Sequence, residues 1–235
     1  MTAVAVMQPY FLPYLGYWQL LNAVDLFVIY DDVHFIKKGW IHRNRIMTKQ
    51  GEYLFTIPLS KISQNKLICE HKLADPAGFA SRFVQLLNMN YKDAPFFVQG
   101  MALIDDIFSA PTDDLTTLCE RSIQIVCKAL GINCKIVRSS TLNNDKTLKS
   151  QDKIVDIVKY LNGNTYINLE GGRALYSKED FAQHSIKLQF IKPLPPQPYP
   201  QVFPGFIPYL SIIDMLMCVS TEQIRHWINQ YELST

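Results

Sequence analysis

The chain opens on an apolar run, Ala3 to Met7, that stops abruptly at Gln8-Pro9. Val4 to Met7 is too short for a free-standing helix, and the residue before a proline favours extended backbone, so the run predicts a buried strand. Leu12 to Val24 then predicts a helix. Pro13 fits its first turn, where a missing N–H costs nothing, and Leu20, Leu21 and Val24 recur at helical spacing behind the aromatics. Leu26 to Tyr30 predicts a second strand, rich in β-formers and closed by Asp31-Asp32. Strand, helix and strand in close succession make the minimal parallel unit, whose ligands sit beyond the carboxyl ends of the strands. Gln8-Pro9-Tyr10 and Asp31-Asp32-Val33-His34 occupy those ends.

Further along, Tyr53 to Leu59 reads as a strand that gives way at Pro58 and Ser60 to a polar connection, Lys61 to Lys66. Phe79 to Leu87, Met101 to Phe108 and Leu115 to Leu130 show helical periodicity; Thr112 or Asp113 caps the last of these and Gly131 ends it. Ile132 to Ser139 alternates as a strand. Lys153 to Leu161 reads as a helix broken at Asn162-Gly163-Asn164, Thr165 to Asn168 as a strand, and Lys178 to Gln183 as a short helix. Lys192 to Pro208 concentrates the prolines and predicts an extended strap, either a cover for the sheet edge or a lid with Gly205 as its hinge. Ser211 caps a following helix, with Asp214 in its first turn, where the helix dipole favours a carboxylate; Thr221 to Tyr231 is the final helix. The pattern predicts one α/β domain over residues 1–235: a mostly parallel, Rossmann-like sheet flanked by helices, with residues 76–131 as a candidate helical subdomain.

A chain of 235 residues with 48% hydrophobic and 19% charged content can bury a sizeable core, and a formal net charge of +2 gives no reason to expect a nucleic-acid protein. No apolar run is long enough to span a bilayer and no basic leader precedes the first apolar stretch, so a cytoplasmic location is expected. The five cysteines are odd in number and form no CxxC pair, which reads as reduced core residues rather than disulfides or a metal centre. Cys69, two residues before His71, is the only thiol with a histidine close by.

Local charge changes the picture more than the total does. Lys37-Lys38-Gly39-Trp40-Ile41-His42-Arg43-Asn44-Arg45-Ile46-Met47-Thr48-Lys49 carries five formal positive charges and no negative one. A charge run is usually a solvated face, but this one follows a strand end and is interrupted by Trp40 and His42. Guanidinium forks beside an aromatic plane suit a phosphate or carboxylate ligand. On an extended segment Arg43 and Arg45 share one face and Asn44 points to the other. His34 and His42 are candidate bases if Asp31 or Asp32 fixes a tautomer, and alternation predicts that one of the two aspartates points into the site and the other away. A second candidate site is Glu170-Gly171-Gly172-Arg173 with Tyr176. It offers either a turn that needs positive φ, or glycines that let backbone N–H groups approach a phosphate beside an acid, an anion clamp and a hydroxyl.

Gln8-Pro9-Tyr10-Phe11-Leu12-Pro13-Tyr14-Leu15-Gly16-Tyr17, Asp25 to Val33, Trp40 to Arg45, Asn168 to Tyr176 and Leu210-Ser211-Ile212-Ile213-Asp214 occur in one order, and on these segments nearly the whole chain resembles the WbqC-like protein family of bacterial surface-polysaccharide gene clusters. The family's opening has a Pro-Trp pair where this chain has Pro13-Tyr14. The resemblance implies a cytoplasmic transferase of O-antigen or related surface-glycan biosynthesis that modifies a nucleotide-linked amino sugar by acyl or aminoacyl transfer.

On this reading Asp32, His34 and His42 are the catalytic candidates. Gln8, Tyr10, Tyr14, Tyr17, Asp31, Lys38, Trp40, Arg43, Asn44, Arg45, Glu170, Gly171, Gly172, Arg173 and Tyr176 are the substrate-binding candidates, and no metal is expected. The donor is open among acyl-coenzyme A, aminoacyl-tRNA and ATP; nucleic acid is expected only if the donor is a charged tRNA, and a homo-oligomer is compatible with the sequence. Pro13-Tyr14-Leu15-Gly16-Tyr17 also looks like the histidine-x-glycine-histidine loop of nucleotidylyltransferases with tyrosines for histidines. That makes an ATP-using nucleotidylyltransferase one alternative, although tyrosine carries no positive charge near neutrality. A non-catalytic sugar-nucleotide-binding protein is the other.

Overall fold

The computed structural model describes residues 2–235. The first apolar run forms β1 (Ala3–Met7), followed by α1 (Leu15–Asn22) and β2 (Leu26–Ile29), with Val4↔Leu26 to Met7↔Ile29 in parallel register. The chain then leaves the sheet. It forms the hairpin β3 (Arg43–Thr48) and β4 (Gly51–Thr56), the short pair β5 (Leu59–Ser60) and β6 (Lys72–Leu73), and helices α2 (Pro76–Tyr91), α3 (Phe97–Phe108) and α4 (Leu115–Leu130). It returns as β7 (Lys135–Arg138) beside β2. After α5 (Ser150–Tyr160), β8 (Thr165–Leu169) enters on the other side of β1, and α6 (Lys178–Gln183) leads to β9 (Lys187–Pro193). Helices α7 (Ile212–Cys218) and α8 (Thr221–Ile228) precede β10 (Tyr231–Ser234), which closes the edge antiparallel to β9.

The order is β10-β9-β8-β1-β2-β7. Successive parallel strands run outward from β1 to β7 on one side, then resume at β8 on the other. The sheet therefore reverses direction between β1 and β8, and in doubly wound sheets such a reversal opens a crevice at the carboxyl ends of the two strands. The ladder between β1 and β8 ends at Val4↔Tyr166, whereas that between β1 and β2 continues to Met7↔Ile29, so β1 and β8 part toward those ends.

Both faces of the sheet are covered, which explains the near-continuous apolar runs of its central strands. Ala5, Phe27, Ile29 and Ile167 pack with α1, α4, α7 and α8 in one core, while Val4, Val6, Val28 and Tyr166 pack with α5 and α6 in the other. The alternation is the period of two along a strand. Asp114 caps α4 by accepting from the Thr117 N–H at 2.6 Å, one residue beyond the expected caps, and Gly131 ends the helix at φ 69°. Among the described residues no helix is long and apolar enough to cross a membrane.

One local expectation fails and two strands were not expected, each for a physical reason. Helix α1 starts at Leu15 rather than Leu12, because Leu12 is left-handed (φ 47°) and the carbonyls of Phe11, Leu12 and Pro13 are taken by Asn44, Ser211 and the Ile212 N–H instead of by helical donors. Strand β9 was hidden because its Leu188 and Phe190 alternation runs directly into prolines. Strand β10 was hidden because its pairing with β9 is supplied by a segment about forty residues away along the chain. The strap itself forms as expected and is fastened. The Gln19 side-chain amide, fully buried, shares its two N–H groups among the carbonyls of Leu194 (2.9 Å), Trp227 (3.0 Å) and Gln230 (2.7 Å).

Candidate functional site

The basic segment folds as the first strand of the β3–β4 hairpin, with Arg43↔Thr56 and Arg45↔Leu54 in register, so both arginines do share a face. Trp40, just before it, is exposed and has the Arg45 guanidinium 5.2 Å and the Arg43 guanidinium 5.8 Å from its ring centre. The Tyr10 ring from the end of β1 lies 6.3 Å away, tilted by 31°. Arg45 is offset by Glu52 (3.0 Å) and also donates to the Tyr209 carbonyl (3.3 Å). Arg43 meets no carboxylate among the described residues; it donates to the backbone carbonyls of Gly39 (2.9 Å) and Lys38, which aim it without neutralising it. An unneutralised guanidinium against an exposed indole is an arrangement for an anion attached to a flat or apolar group. Burial raises the Tyr10 phenol pKa, so it stays a neutral hydroxyl, donating to Asn44 Oδ1 at 3.1 Å.

Several predicted contact residues support this cluster from within. Asn44 is fully buried and donates to the carbonyls of Phe11 (3.2 Å) and Leu12 (2.6 Å) while accepting from Tyr10 and from the Arg45 N–H. Its side chain shapes the loop after β1 and is not free for a ligand. Tyr17 is also buried, its hydroxyl donating to the Gln8 carbonyl at 2.9 Å, which leaves it unable to reach a phosphate. Tyr14 stands apart, packing on Tyr209 at 6.3 Å beside the strap.

Asp31 and Asp32 do not divide between site and exterior. The Asp31 N–H donates to Ile29 C=O at 3.0 Å, a three-residue turn that breaks the strand alternation, and both carboxylates swing to the end of β7. Asp31, fully buried, accepts from the Ser140 N–H (2.9 Å) and hydroxyl (2.8 Å), with the Ser139 hydroxyl oxygen 3.1 Å away. Asp32 accepts from Ser139 (2.5 Å) and pairs with Lys146 and Lys153, both at 3.1 Å. Burial pushes the Asp32 carboxyl up, but hydrogen bonds from Ser139, Lys153 and Lys146 outweigh it and hold it below its ordinary range. Lys153, Lys146 and the two serines went unnoticed in the sequence. Only Lys153 left a signal: it lies four residues before Ile157 on the buried stripe of α5, and a lysine there must be paired.

His34 is exposed. His42 is buried beside Phe35 (ring centres 5.2 Å apart), and burial first, then Arg43 and His71, push its pKa down from 6.5 to about 4. Its Nδ1 has no hydrogen-bond partner. The unfolded chain takes up this proton near pH 6.5 and the folded chain only near pH 4, so stability contributed by neutral His42 is lost as pH falls through that window. His42→Asn is expected to flatten the change in urea midpoint between about pH 7 and about pH 5. The same slope in both proteins would show that the imidazole is open to water. Burial, followed by Asp31, pushes the Cys69 thiol up to about 11, which makes it a poor nucleophile.

At the other loop, Glu170 and Arg173 form a two-pronged pair (2.8 and 3.1 Å), and Arg173 also lies over Phe190 and donates to Ser234 and Thr235. This clamp ties the loop to β9 and β10. Gly171 and Gly172 lie in a 3₁₀ turn, Glu170–Leu175, and neither has positive φ, so the first of the two readings, a turn that needs positive φ, is not met; no atom comes within 4 Å of the space a Gly171 side chain would take. Tyr176 turns to the α5 face, its hydroxyl 3.2 Å from that of Tyr166, which accepts from Asn168. The topology thus sets Gln8 to Tyr10 and Glu170 to Gly172 at the facing ends of β1 and β8, although no side-chain hydrogen bond among the described residues joins the two loops. Of the cavities, one of about 470 Å³ between β4 and α2 and one of about 340 Å³ between α2 and α4 hold none of the predicted residues; only Tyr14 lines a small cleft of about 30 Å³ under the strap.

Comparison of the sequence with known proteins finds relatives. The chain is 28% identical over 225 residues to the uncharacterized protein Rv1507c of Mycobacterium tuberculosis, covering 94% of this chain and 96% of that one. No solved structure matches it. With residues 8–226 matched by the sequence model of the WbqC-like protein family, a span that takes in both loops, the basic hairpin and Asp214, the chain belongs to that family.

Proposed function

We propose that the chain is a transferase of bacterial surface-glycan assembly that holds a nucleotide-linked amino sugar at the reversal between β1 and β8 and directs acyl or aminoacyl transfer onto its amine. One observation carries the reading: the unneutralised Arg43 lies against the exposed Trp40 ring, beside Tyr10 at the carboxyl end of β1. In this reading Arg43, with Lys38 and Arg45, holds the diphosphate, Trp40 and Tyr10 supply planes for base and sugar, and the backbone at Gly171 and Gly172 borders the far side of the crevice. His34 removes the proton from the attacking amine, since His42 is held neutral and buried and Asp32 is saturated by donors. Glu170 and Arg173 act by fixing the loop. The burial of Tyr17 speaks against the nucleotidylyltransferase alternative, whose second loop histidine it would replace.

Calorimetric titration with UDP-, dTDP- and GDP-linked amino sugars, alongside ATP and coenzyme A, tests the proposal. One nucleotide sugar is expected to bind, and Arg43→Ala to weaken it by roughly tenfold to a hundredfold, the range for a charge-assisted contact. Binding of ATP with no sugar nucleotide bound would overturn it.

A further inference from the structure

A second basic surface lies beside the first. The segment His34 to Trp40 and the loop Ser60 to Leu67 run side by side: His34 and Leu67 form an antiparallel bridge, the Phe35 N–H donates to the Lys66 carbonyl (3.0 Å), and the Ile68 N–H donates to the Val33 carbonyl (2.9 Å). Together they carry Lys37, Lys38, Lys61 and Lys66 and no carboxylate. None of the four forms a salt bridge among the described residues, as is true of most of the chain's lysines; what marks the strip is that these four lie together on two adjoining segments without a carboxylate. Glu70, three residues beyond the loop, is turned onto the Leu67 N–H at 2.6 Å. The same strip exposes two aliphatic side chains, Ile36 at 50% and Ile62 at 41%.

Unpaired lysines beside exposed isoleucines are poorly suited to water alone and well suited to an anionic lipid interface. Lysines gain there from headgroup phosphates and aliphatic side chains from the acyl boundary. A single-stranded nucleic acid would instead call for aromatic or guanidinium planes at the tips, and branched aliphatics cannot stack on bases. We propose that this strip is a docking surface for a bilayer rich in anionic phospholipid. Docked in this way, the chain would hold the Trp40 and Arg43 cluster at the membrane face, because the Lys38 carbonyl that aims Arg43 belongs to the strip.

The test is cosedimentation of the full chain with vesicles of phosphatidylcholine alone or mixed with phosphatidylglycerol, over a range of salt. The expected result is binding to the mixed vesicles only, weakening as salt rises. Lys37→Ala with Lys61→Ala should lower the partition coefficient by roughly fivefold per lysine, and Ile36→Ser with Ile62→Ser by roughly tenfold. Unchanged urea midpoints would establish that these exposed substitutions leave the fold intact. Absence of binding, equal binding to both vesicles, or insensitivity to both pairs would overturn the proposal. Displacement of the vesicles by bulk tRNA that itself binds through Lys37 and Lys61 would also overturn it, and assign the strip to nucleic acid.

Discussion

Asp214→Ala is expected to be the most damaging single substitution, lowering stability by about 3 to 5 kcal/mol through one buried and two half-buried donors left without their acceptor. The carboxylate is fully buried at the start of α7. It accepts from the hydroxyls of Tyr91 (2.9 Å) and Tyr199 (2.6 Å) and from the Gln201 amide (2.8 Å). Tyr91 in turn accepts from the Met47 N–H at 2.9 Å, so a single side chain joins α7 to α2, to β3 and to the proline-rich strap. Urea unfolding measures the loss, and limited proteolysis should show faster cleavage within the strap. A variant within about 1 kcal/mol of the parent, with an equally resistant strap, would mean that the prolines hold the strap unaided.

Asp214→Asn separates shape from charge. It keeps the volume but turns one acceptor into a donor, while the two hydroxyls can rotate to compensate, so the loss should be smaller, about 1 to 2 kcal/mol. Burial raises the Asp214 pKa above 3.8 against the opposing pull of Tyr199, Tyr91 and Gln201. A raised carboxyl pKa contributes stability that is present at low pH and lost as pH rises through the folded value, so the parent's advantage over Asp214→Asn should narrow in that direction.

The role of Asp214 was hidden in the sequence because its helix-start position already accounted for a carboxylate, and its donors come from segments far away or from a strap with no periodicity. The core was legible for the opposite reason. Val4 to Met7, Leu26 to Ile29 and Leu115 to Leu130 carry their burial in their own spacing, and Gly131 marks its helix end by a backbone conformation that suits glycine. The same contrast runs through the candidate site. Trp40, Arg43 and Arg45 were readable because a local charge run needs no partner to be seen. Asn44 and Tyr17 look identical in sequence to ligand-binding side chains, and only the long-range carbonyls they satisfy reveal them as supports. The reversal between β1 and β8 was beyond reach, since strand order is set by pairing and leaves no pattern within a strand.

Lys153→Met should be the second large loss, and it bears directly on whether Asp32 takes part in chemistry. Lys153 is almost fully buried, with Nζ 3.1 Å from the Asp32 carboxylate, 3.0 Å from the Asp32 carbonyl and 5.2 Å from the Tyr30 ring centre. Removing one partner of a buried pair leaves the other uncompensated, and the loss should be about 2 to 4 kcal/mol, moderated because Lys146 still reaches Asp32. Asp32→Asn should lose a similar amount. The double variant should lose less than the sum, by about 1 to 3 kcal/mol, because the two singles break one interaction. The Asp32 pKa is depressed, so the pair's contribution is present above about pH 4, the ordinary carboxyl value, and disappears as pH falls through the lower folded one. Lys153→Met should therefore move the acid-unfolding midpoint to higher pH. If the Asp32 substitutions leave stability and acid unfolding untouched while abolishing the proposed transfer, Asp32 is free to act on substrate and the role proposed for His34 falls. If they unfold the chain in step with Lys153→Met, Asp32 is the pin that closes β2 onto β7 and α5, and the proton falls to His34.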